Sequence, residues 1–202
     1  MKTYTMTKIQ GKPNWKKIPY LSIDNLLWTD SIDVSAKAQI CWDEDALYVR
    51  MEAVEPNIRM KESGPLANVC FDSCMEFFFQ PTQRPDYFNI ELNPLKTIFL
   101  GFGTGREDLI RLQVRGIQKL FNIRVRLTKK GWVLSYQIPF AFIRRFFPEF
   151  EAKEGGFIRA NIYKCGDKTA KEHYLTWNHI TSEEPDFHRP EYFAPMYFGG
   201  EE

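Results

Sequence analysis

Residues 46–54 read ALYVRMEAV, and this stretch decides the fold. Leu47, Val49, Met51 and Ala53 alternate with Tyr48, Arg50 and Glu52. A period of two puts apolar side chains on one face of an extended chain and polar ones on the other, so the stretch reads as a half-buried strand. The same alternation recurs in CMEFFFQ (74–80), YFNIEL (87–92), KTIFLGF (96–102), IRLQVRGI (110–117), FNIRVRL (121–127), GWVLSYQI (131–138) and GFIRANIYK (156–164). Eight or more such segments make a sandwich or barrel. KKG before Trp132 marks a hairpin, with Gly131 expected to supply a positive φ. PFAFIRRFF (139–147) breaks the period, putting Phe140, Ile143 and Phe147 on one face of a short helix that Pro139 can begin. No repeat or linker divides residues 1–202, which predicts one all-β domain, a single antiparallel β-sandwich with one or two short helices.

Composition bounds the function. A chain of 202 residues buries roughly 70% of its unfolded surface and needs no covalent staple. Twenty-seven basic against 26 acidic residues leave no global field, so neither nucleic acid nor an anionic membrane is an expected partner. No segment reaches the ~20 apolar residues of a membrane span, and residues 1–20 hold no signal-like apolar run. The expectation is a cytoplasmic protein, or a secreted one if a leader precedes Met1. Cys41, Cys70, Cys74 and Cys165 read as reduced thiols. On one extended segment Cys70 and Cys74 would stand ~13 Å apart, too far for a disulfide. Without paired C-x-x-C motifs, no structural zinc is expected. The 15% aromatic content suits strands and also surfaces that stack on flat ligands.

Glu76 is the first residue that asks for a function. It stands in a Phe-rich strand, where an unpaired carboxylate is costly, and Asp72 is expected on the same face. Asn89 and Glu91 share a face in YFNIEL, as do Arg159 and Asn161 in FIRANIYK. If these faces coincide, they form a polar surface ringed by aromatics, suited to sugar hydroxyls, or an internal network in which Glu76, Glu91 and Arg159 satisfy one another. Glycosidase chemistry would need two carboxylates roughly 5–9 Å apart, which Glu76 and Glu91 can supply if their strands pair; binding is favoured over catalysis. His173, His179 and His188 lack the short spacing of metal ligands on one element, so no metal is assigned to them. Trp177 follows a strand-like YLT and reads either as core or as a stacking platform. No P-loop, dinucleotide fingerprint or nucleophile elbow is present.

The order of these motifs resembles the family 9 carbohydrate-binding modules and their DOMON-like relatives. The resemblance rests on AQICWDEDALYVRMEAVEP, DSCMEFFFQP, GWVLSYQIPFAFI, and RANIYK followed by YLTWNHI and FHRPEYFAPMYF, from about Trp15 to Phe198. It implies a jelly-roll-like sandwich that binds the end of an oligosaccharide or polysaccharide chain without catalysis, through acidic, amide and basic groups and an aromatic clamp. By motif position it carries ligand-binding roles to Glu76, Arg159 and Asn161, and approximately to Trp177. Phe187 and His188 occupy the place of the C-terminal aromatic clamp. The loop before Glu76, PLANVCF, carries no tryptophan. Some relatives hold structural calcium, for which DEDA (43–46) is too short a cluster, so no cofactor is expected. The alternatives are a glycoside-processing enzyme using Glu76 and a second carboxylate, and a structural or partner-binding sandwich without sugar binding.

Overall fold

The computed structural model describes residues 1–30 and 32–201. Its first strands are β1 Tyr4–Lys8, β2 Leu21–Ile23, β3 Asn25–Leu27, β4 Ser35–Trp42 and β5 Ala46–Val54. A single helical turn at Val69–Phe71 leads into β6 Cys74–Gln80, β7 Tyr87–Leu92, β8 Ile98–Gly103 and β9 Ile110–Arg111. Helix α1 Ile117–Leu120 precedes β10 Arg124–Leu127 and β11 Gly131–Pro139, and α2 Phe140–Ile143 precedes β12 Phe157–Cys165, β13 Tyr174–Thr176 and β14 Ala194–Glu201.

The main path of hydrogen-bonded strands runs β10-β11-β5-β4-β1-β14-β12-β6-β7-β8-β9. It curls on itself, so the inner faces of β4, β5 and β11 meet those of β6, β7, β12 and β14. Val49 and Met51 of β5, Trp132 and Leu134 of β11, Phe77 and Phe79 of β6 and Ile162 of β12 all belong to one buried cluster. This is the expected β-sandwich, with one departure: β1 runs parallel to both neighbours, Tyr4 opposite Met196 and Thr7 opposite Cys41.

Three local expectations change. Gly131 does not take a positive φ; a Cβ there would stand 1.9 Å from the Ala53 carbonyl oxygen, so glycine is required by close approach to β5. Residues 110–117 are not a full strand. Pairing stops after Arg111, Leu112 and Val114 pack on the edge of the core in irregular backbone, and Gly116 at φ 73° turns the chain into α1. Asp72 precedes β6 and is spent on a loop: its carboxylate pairs with Arg59 and accepts from the backbone N–H groups of Lys61 and Glu62. The helix after Pro139 forms, and Phe140, Ile143 and Phe147 are all buried.

The buried ion network is not the expected one. The Arg159 guanidinium donates to Gln80 Oε1 at 3.3 Å and to the carbonyls of Pro190 and Phe193 at 3.1 and 3.2 Å, and no salt bridge to a carboxylate is found for it among the described residues. Instead Lys164, wholly buried, lies 3.2 Å from Glu55 and 2.8 Å from His173 Nε2. Glu55 also accepts from Ser73 Oγ at 2.6 Å and Trp132 Nε1 at 3.1 Å. A buried charge is tolerated only when so surrounded. Lys164→Ala strands Glu55 and is expected to cost about 3–5 kcal/mol in urea unfolding. Lys153→Ala, at the exposed Lys153–Glu151 pair, is expected to cost less than about 1 kcal/mol.

His173 also gives stability a pH dependence. Burial, and then the Lys164 ammonium, push its pKa below the usual 6.5, against the opposing pull of the Lys171 carbonyl and Glu55. The unfolded chain therefore binds this proton more readily. The contribution of the neutral ring is fully present above about pH 6.5 and is lost as pH falls through the lower folded value. Unfolding free energies from urea titrations between pH 7.5 and 4.5 are expected to fall more steeply in the wild type than in His173→Gln, by up to about 1.4 kcal/mol per pH unit.

Candidate functional site

Burial of β6 locates the site. All seven residues of CMEFFFQ are buried, as are all six of YFNIEL in β7. Met75, Phe77 and Phe79 face the sandwich core; Cys74, Glu76 and Phe78 face a second cluster that holds Tyr87, Tyr163, Cys165, Tyr174, Phe187 and Phe193. Loops therefore cover what would otherwise be the solvent face of these strands. Between loops and strands lies a cavity of about 190 Å³.

Its floor is acidic and sulfur-rich. Glu76 on β6 and Glu91 on β7 are directly opposed in register, and Glu76 is likewise opposed to Tyr163 on β12. Cys70, Cys165 and Asp167 line the same space. The Cys165 thiol donates to Glu76 Oε1 at 2.9 Å, and Asn89 Nδ2 donates to Glu91 Oε1 at 3.1 Å. Burial is the main cause that raises both glutamates above the usual carboxylate range; for Glu76 the neighbouring Glu91 charge adds to it. Two adjacent carboxyls with raised pKa values can offer a protonated donor beside an acceptor. Burial also raises the pKa of Asp167, against hydrogen bonding from the Cys70 and Cys165 thiols.

The walls are aromatic. Phe187 stacks on Tyr163 with ring centroids 4.1 Å apart, and Trp28 stands 5.7 Å from both Phe187 and Tyr174. Trp28 has φ 57°, a conformation rare for so large a side chain, and its Nε1 donates to the Ser182 carbonyl at 2.8 Å. A bulky residue held there is the kind of backbone outlier that clusters at functional sites. His188 lies over Phe78 at 5.0 Å, and its Nδ1 is 2.8 Å from the Tyr87 hydroxyl. Burial and the Arg106 charge push its pKa down to about 4, so the ring is neutral at pH 7. Arg106, at the rim, is paired with Asp186 at 2.8 Å.

The structure thus brings together Glu76, Glu91, Phe187 and His188, with Asn89 behind Glu91. It places three other candidates elsewhere. Arg159 binds carbonyls near the start of β14; Asn161 bonds the backbone of Asn178 through both ends of its amide; and Trp177 is 2% exposed within the main core. The indole at the cavity is that of Trp28, which no strand pattern marks, because LLW reads as an apolar run. Cys70, Arg106, Cys165 and Asp167 were also missed, since loops and register bring them in. Asp43 of DEDA accepts from the backbone N–H groups of Asp45 and Ala46 through Oδ1 and from the Tyr48 hydroxyl through Oδ2, so its carboxylate holds the turn between β4 and β5. Larger hollows, two of about 540 Å³ and one of about 250 Å³, lie elsewhere, and none of them is lined by a residue to which the sequence assigned a ligand-binding role. The smaller cavity is the stronger candidate because perturbed titratable groups converge on it.

Comparison with known proteins agrees with the fold. No curated protein matches the chain. Among solved structures, a candidate carbohydrate-binding protein from Bacteroides uniformis superposes with a TM-score of 0.83 at 23% identity, covering 98% of this chain and 99% of that one. A family 9 carbohydrate-binding module from Caldicellulosiruptor kristjanssonii, in complex with cellotriose, superposes at 0.70 with 13% identity over 100% of this chain and 95% of that one. The glucose complex of a family 9 module from the same organism gives 0.70 at 14% identity, covering 100% and 97%. At these identities the superpositions speak for the fold. The sequence itself matches the family model described as carbohydrate-binding family 9 over residues 12–198, nearly its whole length, and the chain belongs to that family.

Proposed function

We propose that this protein binds the terminal ring of an oligosaccharide in the cavity between Trp28, Phe187 and the Glu76–Glu91 pair, without catalysis. The observation that carries the reading is the cavity itself: carboxyls on the floor, aromatic rings on the walls and a volume of about 190 Å³. A sugar ring presents hydroxyls at its edge and C–H groups on its faces. Carboxylates accept from the first, and aromatic faces cover the second. The volume is below the roughly 300–1,000 Å³ of pockets that enclose drug-sized ligands, which favours one ring over a chain segment. Family membership and the sugar complexes of the Caldicellulosiruptor modules support the ligand class.

An enzymatic reading rests on the opposed Glu76 and Glu91, one of which would have to act as an acid. Chromogenic glycosides separate the two: turnover by the wild type that Glu76→Gln abolishes would replace the binding reading. For binding, intrinsic tryptophan fluorescence is titrated with glucose, cellobiose and xylobiose. Saturable quenching or enhancement is expected, with Trp28→Ala weakening affinity about tenfold or more, equivalent to about 1.4 kcal/mol. No saturable response up to millimolar sugar, confirmed by calorimetry, would remove the proposal.

A further inference from the structure

We propose that Cys74, Cys165 and Glu76 form a binding site for a thiophilic divalent cation of the zinc class at the floor of the cavity. Cys74 and Glu76 are two apart on β6 and share a face, and Cys165 on β12 is directly opposite Cys74. One ligand atom from each, the two sulfurs and a carboxylate oxygen, all lie within 4.8 Å of one another. Donors on a single tetrahedral zinc stand roughly 3.5–3.8 Å apart, from Zn–S of about 2.3 Å and Zn–O of about 2.0 Å. The widest separation, under 4.8 Å, exceeds that spacing by no more than about 1 Å.

The chemistry of the set narrows the ion. Two sulfurs and one oxygen suit zinc and its cobalt surrogate, whereas magnesium and calcium take oxygen ligands alone. The site also has a way in and an open side, because Glu76 and Cys165 line the cavity. Cys70 and Asp167 line it beside them, so the fourth position can be filled by Asp167, by Cys70 or by water.

A second observation points to a cation independently of the thiols. Glu76, Glu91 and Asp167 surround one small cavity whose lining includes a single guanidinium, that of Arg106, already paired with Asp186. Among the described residues, Glu76 is hydrogen-bonded to a thiol and Glu91 to an amide, and neither is in an ion pair. The Glu55 carboxylate, equally buried, has Lys164. Arg111 lies near Glu91 and Lys164 near Glu76, but neither cation is within ion-pair distance, and buried carboxylates left without direct ion pairing are the ones that a metal satisfies. On coordination both thiols, and the Glu76 carboxyl wherever it is protonated, release their protons to solvent, and the dication is balanced by two thiolates and one carboxylate, leaving one net negative charge on the cation and its three ligands.

The test needs no sugar, so its failure is distinct from failure of the glycan reading. The full chain, reduced with a phosphine, is titrated anaerobically with Co²⁺ and followed by absorption. Expected are thiolate-to-cobalt charge transfer in the near ultraviolet and visible bands of tetrahedral cobalt, saturating at one ion per chain and bleached by Zn²⁺. Cys165→Ser and Cys74→Ser are each expected to weaken binding at least about tenfold and reduce the charge transfer, while Glu76→Gln weakens binding with the charge transfer retained. Cys41→Ser, on β4 outside the cavity, is expected to leave the spectrum unchanged. Near-ultraviolet circular dichroism verifies that each variant folds, and Glu76→Gln carries the test if a serine variant does not. Absence of charge transfer at millimolar Co²⁺, or bands that survive all three ligand substitutions, would overturn the proposal.

Discussion

Because β6 is covered on both faces, every side chain from Cys74 to Gln80 must find its partners inside the protein. A strand in that position is normally a continuous apolar run, and Met75, Phe77 and Phe79 obey the rule toward the sandwich core. On the other face Cys74 and Glu76 depart from it, and Glu91 departs from it on β7. The departures are adjacent in register, and the loops that cover them leave a cavity above. A void lined by polar groups and open to water costs far less than the same groups sealed in hydrocarbon, so the carboxyls and the cavity explain each other.

The molecule handles its buried charge in two ways. Glu55 receives an ammonium, a hydroxyl and an indole N–H, and nothing in that cluster is left for a ligand. Glu76 and Glu91 receive a thiol and an amide, and their charged forms are disfavoured by burial. The first arrangement is structural by its own completeness. The second is incomplete in the way that binding sites are, since the missing partners have a cavity through which to arrive.

Much of this was legible in the sequence, and the limits have physical causes. β5 and β11 were readable because one face of each is solvated and the alternation is clean. Glu76 and Glu91 were readable because a carboxyl in an aromatic strand demands explanation. Arg159 and Asn161 share the face of Tyr163, as the period of two requires, but period fixes the face and not the distance along it. Arg159 pairs with Gln80 at the far end of β6, whereas Cys165 pairs with Cys74 at the near end, a separation of about 20 Å along the strand. Register, which a single sequence does not contain, therefore decides which polar residue reaches the cavity. For the same reason Cys74 and Cys165, far apart in sequence and outside any C-x-x-C motif, meet across two strands. Trp28 was hidden for another reason: a positive φ after β3 swings its indole over the cavity, and no periodic pattern reports a single backbone turn.

The division between strands and loops sets what can change without losing the fold. Glu76, Glu91 and Cys165 sit on paired strands β6, β7 and β12, where a shift of one would disturb the ladder on both sides. Trp28 follows β3, and Phe187 and His188 lie between β13 and β14, so the rings that close the cavity belong to segments held by a few hydrogen bonds and ring contacts. A site built this way keeps its chemistry in the rigid floor and its shape in the adjustable walls. Loop substitutions are then the economical route to a different ring or linkage, because they reshape the walls while the floor donors stay where the sheet places them. Floor substitutions act on stability and recognition together, since any polar group introduced on the cavity face of β6 inherits the requirement that already constrains Glu76.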